Sequence, residues 1–300
     1  MNIELEKLRT EVRNWLAANA PKDWREAATH DVFVAGQRDW FKKLVAAGYA
    51  IPHWPAAWPG GGRSLAEQKV IYEELARADA PRLLLSFVST YHAFATLHEC
   101  GNDEQKARYL PRIMEGETWC QGFSEPDAGS DLARLRTRAV QDGQHWRING
   151  QKIWTSGAAK AHDCLLLTRT GTVADAHRGM LMFAVPMNTP GIRVVPIRSI
   201  DDKESFAEVF FDNVIVPDSA RLGAPDEGWR SAVSVLSIER ATNRMYRPWR
   251  FESELRHLIR ACKSDRVLSE RLQDGYYQRR IGEVVCEIDH LKGLVERTVE

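Results

Sequence analysis

The sequence predicts an α+β chain in three parts: helical, then β, then helical again. Three observations predict it. Up to about residue 117, apolar residues recur at helical spacing, as at Leu5, Leu8, Val12 and Leu16. From Trp119 to about Leu222 the chain turns to short alternating or β-branched runs separated by turn residues. After Gly228 the helical period returns. The expected parts are residues 1–117, 118–222 and 223–300.

A first helix is expected over residues 3–19 and a second around Gln37–Ala47. The Pro-rich stretch Ile51–Gly62 reads as a loop. Its triple glycine lacks the preceding strand and the following Gly-Lys-Ser/Thr of a phosphate loop. Ser64 and Glu67 form a capping-box pattern, which predicts a helix over Ser64–Ala78. Further helices are expected over 83–100 and 103–115, the latter capped by Asn102 or Asp103. Strands are expected at His145–Asn149, Cys164–Thr168, Leu181–Pro186, Ile192–Ile197 and Glu208–Phe211, with a hairpin turn at Gln141–Asp142–Gly143. One long helix should run from Trp229, strained or broken near Pro248, and another from about Ser264 to the end.

With 300 residues the chain is long enough for two or three domains. Lys and Arg number 41 and Asp and Glu number 41, so no global basic field recommends nucleic acid. No apolar run reaches membrane-span length, and the charged, helical start MNIELEKLRTEVRNWL is unlike a secretory signal. No membrane role is expected. The 5 cysteines are odd in number and scattered without a CxxC pair, which suggests reduced thiols in the cytoplasm, each a small core residue. His92, His98 and Cys100 offer no tetrahedral ligand set, so no metal is expected. GxSxG is absent, and with it a nucleophile elbow.

Trp119–Gly157 is the stretch richest in chemistry. Its Ser-Glu-Pro turn and the later Lys152-Ile153-Trp154-Thr155-Ser156-Gly157 combine small hydroxyls, free backbone N–H groups and an indole. Those are what a planar, hydrogen-bonding cofactor requires. Three blocks carry a resemblance: Ser124-Glu125-Pro126-x-Ala128-Gly129-Ser130-Asp131, Asn149-Gly150-Gln151-Lys152-x-Trp154, and Glu208-Val209-Phe210-Phe211-Asp212-x-Val214-x-Val216-Pro217. In order and spacing the chain resembles the acyl-CoA dehydrogenase flavoproteins. The resemblance covers nearly the whole chain. It implies an N-terminal helical domain, a middle β-barrel domain and a C-terminal helical bundle.

It also implies chemistry: oxidation of the Cα–Cβ bond of an acyl-CoA with FAD as cofactor. A carboxylate removes the α-proton and electrons pass on to an electron-transfer flavoprotein. The base candidate is Glu239. On a helix Ala232, Leu236 and Glu239 share one face, and a carboxylate on an apolar stripe is desolvated, which raises its pKa toward a base's range. The resemblance favours the same residue; an intrahelical partner for an arginine, or a solvated face, is the bland alternative. Arg240 would lie near the CoA entrance, against the alternative of a surface arginine. Flavin contacts map onto Gln121, Phe123, Ser124, Trp154 and Ser156. Gly129 and Ser130 map onto the mouth where CoA enters, where a Cβ on residue 129 could block backbone approach. Asp127 replaces a commoner glycine, in a turn where Asp tolerates left-handed geometry. Glu125 and Asp131 read as braces of that turn. Arg240, Arg244, Arg247 and Arg250 recur at helical spacing, as a solvated or inter-subunit stripe or a phosphate contact.

Two departures stand out. No Arg-x-x-Phe-Gly follows the base helix; the region reads Phe251-Glu252-Ser253-Glu254-Leu255-Arg256-His257-Leu258-Ile259-Arg260. Fewer helices fit after Gly228 than the family carries, so the chain looks shortened at its C-terminus. The last region is similar to a divergent bacterial branch that often acts on branched or steroid side-chain thioesters. Some of its subunits pair, with one member lacking flavin-anchoring residues. A homo- or hetero-oligomer is therefore expected. The alternatives are a non-catalytic partner subunit, and a flavin oxidase or monooxygenase acting on a non-CoA substrate.

Overall fold

Apolar spacing becomes helix wherever a buried face is available to receive it. The structure, a computed structural model, describes residues 3–22, 24–27, 30–58, 60–81, 83, 86–200, 202–240 and 245–299, without the side chains of residues 30, 31, 238–240 and 299. The chain divides into two compact units, residues 1–82 with 241–300 and residues 83–240.

The first unit holds α1 (Ile3–Asn19), α2 (His30–Ala46), α3 (Leu65–Arg77), α7 (Arg247–Ser264), α8 (Arg266–Arg271) and α9 (Gly275–Val299). α1 buries Leu8, Val12 and Leu16, one stripe at the expected period. α3 begins as its sequence predicts: Ser64 accepts from the Glu67 backbone N–H, and the Glu67 carboxylate accepts from that of Ser64. The glycine-rich loop serves packing. A Cβ on Gly60 would sit 2.3 Å from the Cβ of the fully buried Trp54.

The expected long helix from Trp229 is two helices. The first, α6, spans Gly228–Arg240, and α7 starts at Arg247 with Pro248 in its first turn. Proline fits there because a first-turn N–H has no intrahelical partner to lose. The final expected helix is likewise divided into α8 and α9, with Asp265 capping α8 through Leu268 N–H (2.9 Å).

The second unit holds β1 (Trp119–Gly122), β2 (Arg138–Asp142), β3 (His145–Ser156), β4 (Asp163–Arg169), β5 (Met180–Pro186), β6 (Ile192–Ile197), β7 (Phe206–Pro217) and β8 (Arg221–Leu222). Its helices are α4 (Phe94–Cys100), α5 (Asp103–Met114) and α6 (Gly228–Arg240). A π-helical segment, Val88–Ala93, precedes α4. The strand order is β6-β7-β3-β2-β4-β5-β8, with β1 pairing parallel to β4. The ends do not meet, so the sheet is open and the expected barrel is corrected. The last strand, β8, has two residues, too short to reach back to β6.

β4 is buried at every residue and β5 at all but its last. One face of the pair joins Cys120, Trp146, Ile148, Val209 and Val214 in the sheet's core. The opposite face is covered by α6, which explains continuous apolar runs in place of alternation. α6 approaches closely because residue 228 is glycine; a Cβ there would lie 2.6 Å from Met180 backbone. In the first unit, Arg9 and Arg13 of α1 converge on Glu74 of α3, at 2.9 Å for each closest contact. Glu74 is 2% exposed. Burial pushes its carboxyl up, but the two guanidiniums outweigh that and hold it below the ordinary range.

The sign follows. A depressed carboxylate stabilises the fold above its unfolded pKa of roughly 4.3, and that stabilisation is lost as pH falls further. Glu74→Gln should cost about 1–3 kcal/mol at neutral pH and flatten the loss of stability below about pH 4.3. Denaturant melts at several pH values check both; an unchanged acid limb would mean Glu74 does not carry it.

Candidate functional site

The site is assembled where the end of β1 lies along β3. Past Gly122 the chain makes the turn Glu125–Ala128, closed by reciprocal backbone bonds of 2.9 and 3.1 Å. Three contacts tie this segment to β3. Ile153 N–H donates to Ser124 O (2.9 Å). The Lys152 ammonium donates to Phe123 O (3.0 Å) and to Glu125 Oε1 (2.8 Å). Lys152 is wholly buried.

Glu125 also accepts from the backbone N–H groups of Arg136 (2.6 Å) and Thr137 (2.8 Å). It thus braces the turn with every acceptor position it needs to stay ionised. Burial raises its pKa, but Lys152 and the N–H donors bring it below the usual carboxylate value. Burial in turn lowers the Lys152 pKa, against the pull of Glu125. The pair is a buried ion pair that fixes a loop, a use of charge that needs both members present.

Just beyond Lys152, β3 is irregular. Its register against β7 shifts between Lys152 and Thr155, and Trp154 takes φ 57°. A left-handed backbone is uncommon for a bulky side chain and is found where surrounding structure imposes it. The bulge turns the indole outward: Trp154 is 59% exposed, with its ring edge-on to Phe206 at 6.2 Å. Thr155 returns inward, and its buried hydroxyl has no hydrogen-bond partner among the described residues. Ser156 is exposed.

Among the sequence-predicted residues, Ser124 and Trp154 are brought together by the Ile153–Ser124 bond. Phe123 is buried, so its ring belongs to the core and its carbonyl to Lys152. Gln121 is half-buried on β1, with its Oε1 on His92 Nδ1. Gly129 and Ser130 lie exposed after the turn. Gly129 has no positive φ, and a Cβ on it would meet nothing within 4 Å of this chain. Asp127 sits in the turn without a positive φ; it is exposed and pairs with Arg136 at 3.3 Å. Among the described residues, Asp131 braces only through its backbone carbonyl, bonded by Arg134 N–H (3.1 Å). Glu239 and Arg240 are the last two residues of α6, one turn beyond the buried Val235, and their side chains lie outside those described.

Other candidates resolve into separate roles. His98 stacks on Phe94 at 5.5 Å, and Cys100 Sγ lies 3.1 Å from Ser231 Oγ, so neither shares a ligand set with His92. Arg250 is 9% exposed and pairs with Asp79 (3.0 Å) and Glu254 (2.8 Å) of its own unit. Arg244 lies outside the described residues. Sequence reasoning missed Lys152 as the partner of Glu125. The signal was its place in the Gln-Lys-x-Trp block, a lysine within a predominantly β segment.

Glu125→Gln should destabilise the second unit by about 3–5 kcal/mol, because it leaves the Lys152 ammonium buried without a counter-charge. Glu125→Gln with Lys152→Met should recover much of that, measured by denaturant unfolding. Equal losses in the single and double variants would deny the coupling.

The comparisons agree along the chain. Models of the acyl-CoA dehydrogenase family match in order: the N-terminal domain over residues 2–117, the middle domain over 120–214 and the C-terminal domain over 226–300. The acyl-CoA dehydrogenase IpdE1 of Mycobacterium tuberculosis is 38% identical over 282 residues, 90% of this chain and 73% of its own length. Solved structures are similar as well. The Tcur3481–Tcur3483 steroid ACAD superposes with TM-score 0.84 at 28% identity, over 100% of this chain and 76% of that one. The ChsE4–ChsE5 complex from Mycobacterium tuberculosis gives 0.82 at 29%, over 100% and 76%. On these spans and identities, the chain belongs to the acyl-CoA dehydrogenase family.

Proposed function

We propose that this chain is an FAD-dependent acyl-CoA dehydrogenase subunit that converts an acyl-CoA to its 2-enoyl-CoA. The observation that carries the reading is Trp154. An indole held outward in a left-handed backbone, beside Ser124 and Ser156, is costly for the fold alone and suited to a planar ring. The residues that the family resemblance assigns to FAD carry chemistry that fits it: hydroxyls of Ser124 and Ser156, the Gln121 carboxamide, and the aromatic face of Trp154. FAD, when bound, supplies the acceptor for the hydride leaving Cβ.

The remaining work falls to the chain. Glu239, on α6, takes the α-proton as general base. Gly129 and Ser130 face the thioester's CoA portion. Neither backbone conformation nor packing within the chain requires glycine at 129, so room for a ligand is what glycine adds there. Arg240 lies near the CoA entrance and attracts its phosphates.

The division at 1–117, 118–222 and 223–300 goes with this reading and is supported by the family-model spans. For substrate and assembly, these solved structures favour a bulky steroid-derived thioester and a hetero-oligomer, since one is a steroid ACAD and the other a two-protein complex. A subunit that completes a partner's site without retaining FAD itself is the second reading, favoured by the same complexes and by the absent Arg-x-x-Phe-Gly. An electron-transfer flavoprotein is the electron acceptor in this scheme. The five free thiols fit a reducing cytoplasm, and no described helix is long and apolar enough to cross a membrane.

The visible spectrum of the purified chain, before and after anaerobic addition of a panel of acyl-CoAs, tests this directly. A flavin spectrum that bleaches with one class of thioester is expected. A colourless chain would favour the partner-subunit reading. Glu239→Gln should abolish bleaching while flavin stays bound; undiminished bleaching sinks the base assignment. Trp154→Ala should weaken FAD retention on gel filtration, and full retention would remove Trp154 from the site.

A further inference from the structure

The π-helical segment Val88–Ala93 is fastened to β1 at two points. Ser89 Oγ donates to Glu117 O (3.2 Å) and accepts from Trp119 N–H (2.9 Å). One turn later, His92 Nδ1 bonds Gln121 Oε1. The steps match: three residues along the helix correspond to two along the strand. A wider π-turn is a common local device where a helix must aim a side chain. Here it brings His92 onto the strand that leads into the Ser-Glu-Pro turn.

The chemistry of that contact is directional. A carboxamide oxygen only accepts, so Nδ1 must carry the proton. With Oε1 held, the planar amide is fixed and its two Nε2 hydrogens are directed away from His92. His92 itself is 5% exposed, its ring edge-on to Phe87 at 4.9 Å, so the donor is held on a rigid support. Gln121 is half-buried and therefore accessible on one side.

We propose that His92 is a positioning residue for the cofactor: it locks the Gln121 carboxamide so that its NH2 group donates to an acceptor atom of the flavin ring. This rests on the FAD reading above. A donor already oriented spares the ordering cost that a free glutamine side chain would bring to binding.

The test titrates FAD-stripped full-length chain with FAD and follows flavin absorbance. His92→Phe keeps an aromatic ring but removes the donor; it should weaken binding about five- to tenfold, the scale of one neutral hydrogen bond. His92→Asn restores an amide N–H near the Nδ1 position and should recover most of the loss. In a Gln121→Ala background, His92→Phe should cost nothing further, since the group being positioned is gone. Histidine 15N spectra of the stripped chain should show His92 protonated on Nδ1.

Wild-type FAD binding together with full binding by His92→Phe overturns the proposal. So does an equal loss in His92→Asn, an additive loss in the double variant, or an Nε2-protonated His92. In each case the cofactor reading stands. A wild-type chain that takes up no FAD instead removes that reading, and the positioning role falls with it.

Discussion

A buried ammonium with one carboxylate partner sets the geometry around the candidate site. Lys152 has no exposure to water, so its charge is tolerable only while Glu125 and the Phe123 carbonyl stay beside it. That requirement couples two pieces of chain that are distant in sequence: the Ser-Glu-Pro turn that follows β1 and the middle of β3. Glu125 adds a third by accepting from Arg136 and Thr137 N–H groups. A polar clasp also constrains direction, which apolar packing does not. Ser124 and Trp154 then lie in fixed relation because they flank the clasp on either strand.

Much of the fold was legible where its cause is local. The Ser64–Glu67 capping box and the Asn102 cap of α5 are satisfied as their spacing predicts, since both partners lie within one turn. The apolar runs of β4 and β5 were recognisable for the same reason. Pro248 was legible as punctuation, though it opens α7 and does not break a longer helix. Sheet closure was not legible. Whether the last strand reaches β6 depends on residues far apart, and among the described residues the two-residue β8 pairs only with β5. The π-turn at 88–93 was likewise hidden, because its fastenings are on a strand some thirty residues downstream.

The site divides in the same way. The motif blocks pointed to Ser124, Trp154 and their neighbours through the family resemblance they carry, with hydroxyl and indole chemistry that suits it. What residue type does not carry is backbone conformation: nothing in Lys152-Ile153-Trp154 announces that the tryptophan is left-handed. That follows from a register shift against β7, a property of two strands. Nor did His92 announce itself. Read along its own helix it suggested a failed metal site. Across to β1 its Nδ1 meets the Gln121 carboxamide.

An open sheet has a strand whose outer hydrogen-bonding groups are unclaimed by its own chain's ladder. One such strand is β6, at one end of the order, with Pro196 inside it opposite Ala207 of β7. Proline removes a donor from the ladder and is tolerated in sheets at such margins. Arg193 lies on the same strand, stacked over Phe210 at 4.1 Å. Together they make β6 a poor template for strand addition by another copy. The value of Pro196 therefore lies in keeping crowded, newly made chains from aggregating edge to edge, a selection that neither a melting curve nor a turnover number would register.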